Sequence, residues 1–171
     1  MSDAQSALLV DESLPSSQRP HARFYVLPEH AEIEVLLRVL GRLLERVEAE
    51  GLKASIRCAD HEQALWLDEA LWRVPESALL PHYYLPHQSL EPYHEKCRLI
   101  LLTAPERAMA SDVVVDLSVE LKGDVPKGCR RVLELVWAGN REAARSRYRW
   151  YQQLGFRLDM HQVSDKALWG A

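Results

Sequence analysis

A-R-F-Y-V-L-P-E-H-A-E-I-E-V-L-L-R-V-L-G-R-L-L-E-R-V-E-A-E-G-L-K-A-S-I-R-C, Ala22–Cys58, changes its hydrophobic period twice. Ala22–Leu27 is a short apolar run rich in aromatic and β-branched residues and ended by Pro28, which reads as a strand. From Ile33 the apolar positions become Leu36, Leu37, Leu40, Leu43, Leu44 and Val47, the i, i+3, i+4, i+7 spacing of an amphipathic helix. Gly51 stops that helix, and Lys53–Cys58 supplies a second strand. Strand, helix, strand at this spacing points to parallel strands joined by a helical crossover.

The pattern continues outward from that unit. Asp60 is placed to cap a second helix, with Gln63 three residues on in a capping-box position, and the helix runs to about Arg73 before Pro75 closes it. Pro81 to Pro92, with His82, Tyr83, Tyr84 and His87, reads as an irregular aromatic loop. Cys97–Leu102, Val113–Leu117 and Arg131–Val136 are apolar runs suited to strands buried on both faces, and Glu134 is the one residue that does not suit such a strand. Arg141–Leu154 holds good helix formers with Gly155 at its stop, and Phe156–Met160 reads as a last short strand. The expected fold is a Rossmann-like, three-layer α/β sandwich with a largely parallel sheet. Residues 21–163 form its single domain, between an N-terminal extension, 1–20, expected to be mobile and a C-terminal tail, 164–171.

Charge is unevenly spread along this chain. Lys127–Leu158 holds eight Lys and Arg against two Asp and Glu, a net of +6 in a chain whose formal charge is −4, so the rest carries −10. A protein that coats duplex DNA is normally basic throughout, so this balance favours a local anion site on an acidic body. Cys58, Cys97 and Cys129 lack C-x-x-C spacing and read as reduced thiols of a cytosolic protein. No apolar run approaches a membrane span, and the acidic N-terminus is unlike a secretory signal.

The motifs of catalysis and cofactor binding are missing. Neither G-x-G-x-x-G nor G-x-x-x-x-G-K-[ST] occurs, so the architecture comes without its phosphate-binding loop and no cofactor is expected. His82, His87 and His94 match no common zinc spacing, no G-x-S-x-G elbow occurs, and the cysteines sit in or beside apolar runs. The reading is therefore non-enzymatic.

Two surfaces remain. Arg141, Arg145, Tyr148 and Arg149 share one face of the Arg141–Leu154 helix, three guanidinium forks beside a ring. Such a face suits a ligand with an anionic end and a hydrophobic body, although it also reads as a solvated basic face with Tyr148 turned to the core. Trp66, Leu67, Leu71 and Trp72 spread around the second helix, so either that helix is buried on several sides or a tryptophan is exposed to a partner.

The segments F-Y-V-L from Phe24, L-D-E-A-L-W-R-V-P-E-S-A-L-L-P-H from Leu67 and R-Y-R-W-Y-Q-Q-L-G-F from Arg147, taken together, resemble the chi subunit of bacterial DNA polymerase III, over roughly Arg23 to Leu158. The resemblance implies a Rossmann-like fold without nucleotide binding. It also implies a role in linking the clamp loader to single-stranded DNA-binding protein, by holding that protein's acidic C-terminal tail, which ends in proline and a phenylalanine bearing the free carboxylate. Arg145 and Tyr148 fall on the family's tail-contact positions. Arg141 and Arg149 fall where lysine is familiar, an exchange that keeps charge and alters geometry. A pocket for the tail's phenylalanine is expected beside Tyr148 and Phe156. Trp72 and Leu79 resemble the surface for the psi subunit, or for a helicase-like partner, with Leu79 replacing an aromatic residue. The rival expectation is direct binding of single-stranded nucleic acid by the basic helix.

Overall fold

The structure, a computed structural model, describes residues 10, 13–73, 80–84, 97–103 and 111–164. Among these the strands are β1 His21–Val26, β2 Ala54–Cys58, β3 His82–Tyr84, β4 Leu99–Thr103, β5 Val113–Asp116, β6 Arg131–Val136 and β7 Arg157–Gln162. The helices are α1 Ile33–Ala49, α2 His61–Ala70 and α3 Arg141–Gln153. All seven strands pair in parallel in the order β3-β4-β2-β5-β6-β1-β7. Helices cover both faces, the three-layer α/β arrangement expected.

Helix α1 buries Leu36, Leu40, Leu44 and Val47 almost completely against one face of the sheet. Each such side chain is worth about 1.5–3 kcal/mol on leaving water. Ile33, the first residue of the helix and of the apolar stripe, is 42% exposed. Gly51 ends α1 with φ +71°, a conformation that costs glycine nothing. Asp60 caps α2, its carboxylate accepting from the Gln63 amide at 2.8 Å, while the Gln63 side chain accepts from Ala59, one residue earlier than a capping box requires.

Alternate residues of β1 separate the two layers. Tyr25 lies on the face covered by α1, whereas Ala22 and Phe24 pack under α3 with Val114, Val132 and Tyr151. The aromatic segment read as an irregular loop contains β3, a short edge strand paired only with β4. Flanking Pro81 hid it, since proline beside so short a run reads as a turn, yet an edge strand needs hydrogen bonds on one side alone. In the N-terminal extension, Val10 donates its amide to Leu154 at 2.9 Å, and Ser16–Gln18 forms a 3-10 turn.

Candidate functional site

Helix α3 is held against the sheet by a charge. Arg57, Asp116, Glu134, Phe24 and Met160 are register partners on β2, β5, β6, β1 and β7, so they form one rung facing α3. Arg147 is wholly buried above it and donates to Glu134 through Nε at 2.8 Å and Nη2 at 2.7 Å. Its Nη1 donates to the carbonyls of Ser118 and Glu120 at 3.1 and 2.6 Å. Arg57 donates to Asp116 at 2.6 Å, and the Asp116 carboxylate also accepts from the Ser118 amide at 2.9 Å. Two buried acids thus meet two buried guanidinium groups. Burial and then Asp116 push Glu134 up to about 7, with Arg147 opposing.

This network was not read from the sequence. Arg147 belonged to a basic helix, and the signal that points to it is Glu134, an acid in a strand buried on both faces that requires a cation from the covering layer.

With Arg147 pointing inward, the helix turns Arg141, Arg145, Tyr148 and Arg149 toward the C-terminal ends of β1, β6 and β7. All four line one hollow of about 320 Å³. Its floor is Phe24, Val26, Val136 and Met160, from two neighbouring rungs of the sheet, with Gln162 at the rim. Tyr148 is half-buried and packs on Phe24 with ring centroids 5.2 Å apart, so one side of its ring serves the core while the residue still lines the hollow. Among the described residues neither Arg145 nor Arg149 has an ion-pair partner, and both are exposed. Arg141 reaches the Leu27 carbonyl at 3.5 Å, and its Nε is buried without a partner among those residues.

Phe156 is not part of this hollow. Gly155, at φ +83°, reverses the chain after α3 and delivers Phe156 into the core, where its ring lies 5.2 Å from that of Tyr151. The expected ring beside Tyr148 is supplied instead by Phe24, with exposed Met160 at the edge. Phe156 stays on the α3 side of the sheet, but a glycine stop followed by an aromatic residue gave no sign that the ring would pack under Tyr151 rather than beside Tyr148.

On the other side of the sheet, Leu67 and Leu71 are buried and Trp72 is 49% exposed, its ring 4.4 Å from that of His82. Leu65, on α2 itself, is exposed to the same extent and was not singled out in the sequence. Leu79 lies outside the described residues, as do His87 and His94. His82 is buried, its ring nitrogens 2.6 Å from the Leu80 carbonyl and 2.9 Å from that of Asp68. Among the described residues no group of three His, Cys, Asp or Glu side chains could hold a metal ion, and no helix is long and apolar enough to cross a membrane. Cys58 and Cys129 are buried, which pushes the Cys129 thiol up to about 11.

Residues 20–159 match the family described as DNA polymerase III chi subunit, HolC. The DNA polymerase III subunit chi of Pseudomonas aeruginosa is 32% identical over 142 residues, 82% of this chain and 94% of that protein. Among solved structures, T4 UvsW superposes with TM-score 0.54 at 10% identity over 88% of this chain and 42% of its own. DEAD-box helicase domain 2 of Mss116p, bound to an RNA duplex, does so with TM-score 0.52 at 9% identity over 85% of this chain and 66% of its own. At such identities these two share a fold with the chain and nothing more.

Proposed function

The chain belongs to the chi-subunit family of DNA polymerase III, and from that premise we propose that it is a non-catalytic adaptor of the clamp-loader assembly that captures the acidic C-terminal tail of single-stranded DNA-binding protein. The observation that carries this reading is the single hollow lined by Arg141, Arg145, Tyr148 and Arg149 over an apolar floor. A chain end bearing a carboxylate next to a benzyl group needs both features within a few ångströms. Guanidinium forks bind carboxylates in two-toothed fashion, and a floor of Phe24, Val26 and Met160 receives the ring. Aspartates before the terminal residues meet whichever of the forks the carboxylate leaves free.

A weak contact of this kind suffices in an assembly, because tethering raises the effective concentration of each partner. Exposed Trp72, packed on the His82 ring, belongs to the surface for a psi-type or helicase-like partner, with Leu79 as its other expected anchor. Direct nucleic-acid binding by α3 is the poorer fit, since one of its arginines, Arg147, is consumed inside the protein. Titration calorimetry with an acidic peptide ending in Pro-Phe tests the tail assignment. Binding is expected with a free C-terminus and loss of most of it when that terminus is amidated.

A further inference from the structure

A strongly charged hollow lies not under α3 but on the opposite face of the sheet. It has a volume of about 780 Å³, and Arg19, Arg23, Arg46, Arg130, Arg131 and Arg157 converge on it from the N-terminal segment, β1, α1, β6 and β7. Glu50 is its one acid, already bound to Arg131 at 3.0 Å. A second hollow of about 420 Å³ continues from it, sharing Arg23, Tyr25, Leu43 and Arg46 and adding Arg42. The acid there, Asp159, is taken by Arg23 at 3.0 Å. Among the described residues Arg46, Arg130 and Arg157 have no carboxylate partner, and Arg157 instead lies 3.0 Å from the His21 ring nitrogen.

So many guanidinium groups around one cavity repel one another, at a cost that an anion with several charges relieves. Three features define that anion. The two hollows run together into one trough, so it is extended rather than a point charge. The cations are all arginine, whose planar fork fits phosphate oxygens in pairs. Tyr25 and His161, with centroids 5.9 Å apart, stand along the trough where bases would lie against them. We infer that the trough between α1 and the β1–β7 edge binds the phosphodiester backbone of single-stranded nucleic acid, at a site separate from the α3 hollow. This inference does not depend on the tail-binding reading, since the two sites lie on opposite faces of the sheet and share no residue.

The test is fluorescence anisotropy of a labelled oligothymidylate with the full chain at low salt, with tripolyphosphate as competitor. The expected result is binding that tripolyphosphate reverses and that weakens as salt rises, roughly tenfold weaker in Arg46→Glu and in Arg130→Glu. Both residues are exposed, and thermal melts with the milder Arg46→Ala and Arg130→Ala separate lost contacts from lost folding. Arg145→Ala should leave oligonucleotide affinity unchanged, and Arg46→Glu should leave binding of the Pro-Phe peptide unchanged. The inference is overturned if no oligonucleotide binds at low salt, if only tripolyphosphate binds, or if Arg145→Ala removes the binding. It is also overturned if Arg46→Glu and Arg130→Glu weaken an acidic peptide as much as they weaken the oligonucleotide.

Discussion

Arg147 holds Glu134 by two hydrogen bonds in a wholly buried pair, at 2.8 Å through Nε and 2.7 Å through Nη2. That contact sets the rotation of α3 on the sheet, and the rotation is what places Arg145 and Tyr148 over the hollow. The buried pair and the exposed site are therefore two consequences of one helix orientation. Buried pairs are weak sources of net stability, yet removing one partner leaves the other charge uncompensated.

Arg147→Met should accordingly destabilise the protein by about 3–5 kcal/mol. The double variant Arg147→Met with Glu134→Leu should recover much of that loss, although Asp116 and Arg57 remain beneath it. Urea denaturation of the three proteins checks this. Equal stability of the single variant and the parent would mean that the pair does not position the helix.

The pH dependence has a definite sign. Glu134 is raised from the ordinary 4.5 to about 7 by burial and by Asp116. The native protein therefore binds more protons than the unfolded chain between those values, and this group's contribution to stability falls as pH rises through the window. Carbon-13 NMR of the Glu134 carboxyl should show a midpoint near 7; a midpoint at 4.5 would abolish the predicted slope and one below it would reverse it.

Met160 is 57% exposed at the edge of the hollow floor, so replacing it should disturb the ligand more than the fold. Met160→Asp is expected to weaken the Pro-Phe peptide at least tenfold, by placing a charge against the benzyl group. Its unfolding free energy should change by only about 0.5 kcal/mol, as for most surface changes. A variant that binds the peptide as the parent does would remove the floor from the site.

Gly155 turns the chain from α3 into β7 with φ +83°, and an added Cβ would meet that of Val10 at 3.4 Å. Gly155→Ala should cost about 1 kcal/mol or more through the left-handed backbone conformation. Differential scanning calorimetry reads the cost directly, and an unchanged melting temperature would show that the turn relaxes without strain.

Local patterns announced themselves in the sequence, and contacts between distant elements mostly did not. The α1 stripe and the doubly buried strands were legible because periodicity is a property of neighbouring residues. The four residues of the α3 face were legible for the same reason, since a helix alone brings offsets 0, 4, 7 and 8 together. Phe24, Val26 and Met160, the floor beneath them, come from strands whose adjacency only the sheet order reveals. Phe156 was misplaced because proximity to Tyr148 in sequence does not decide which way a residue turns after a glycine stop. Arg147 resembled its neighbours until Glu134, thirteen residues earlier, was found beneath it.

The most direct measurement of the central claim is titration calorimetry of the acidic Pro-Phe peptide against the parent protein and Arg145→Ala, each with free and amidated peptide. The account predicts binding to the parent that weakens with salt, a loss of about 1–3 kcal/mol on Arg145→Ala, and a comparable loss on amidation. It also predicts that amidation matters less once Arg145 is gone, because the two groups meet. Equal affinities for all four combinations would contradict it.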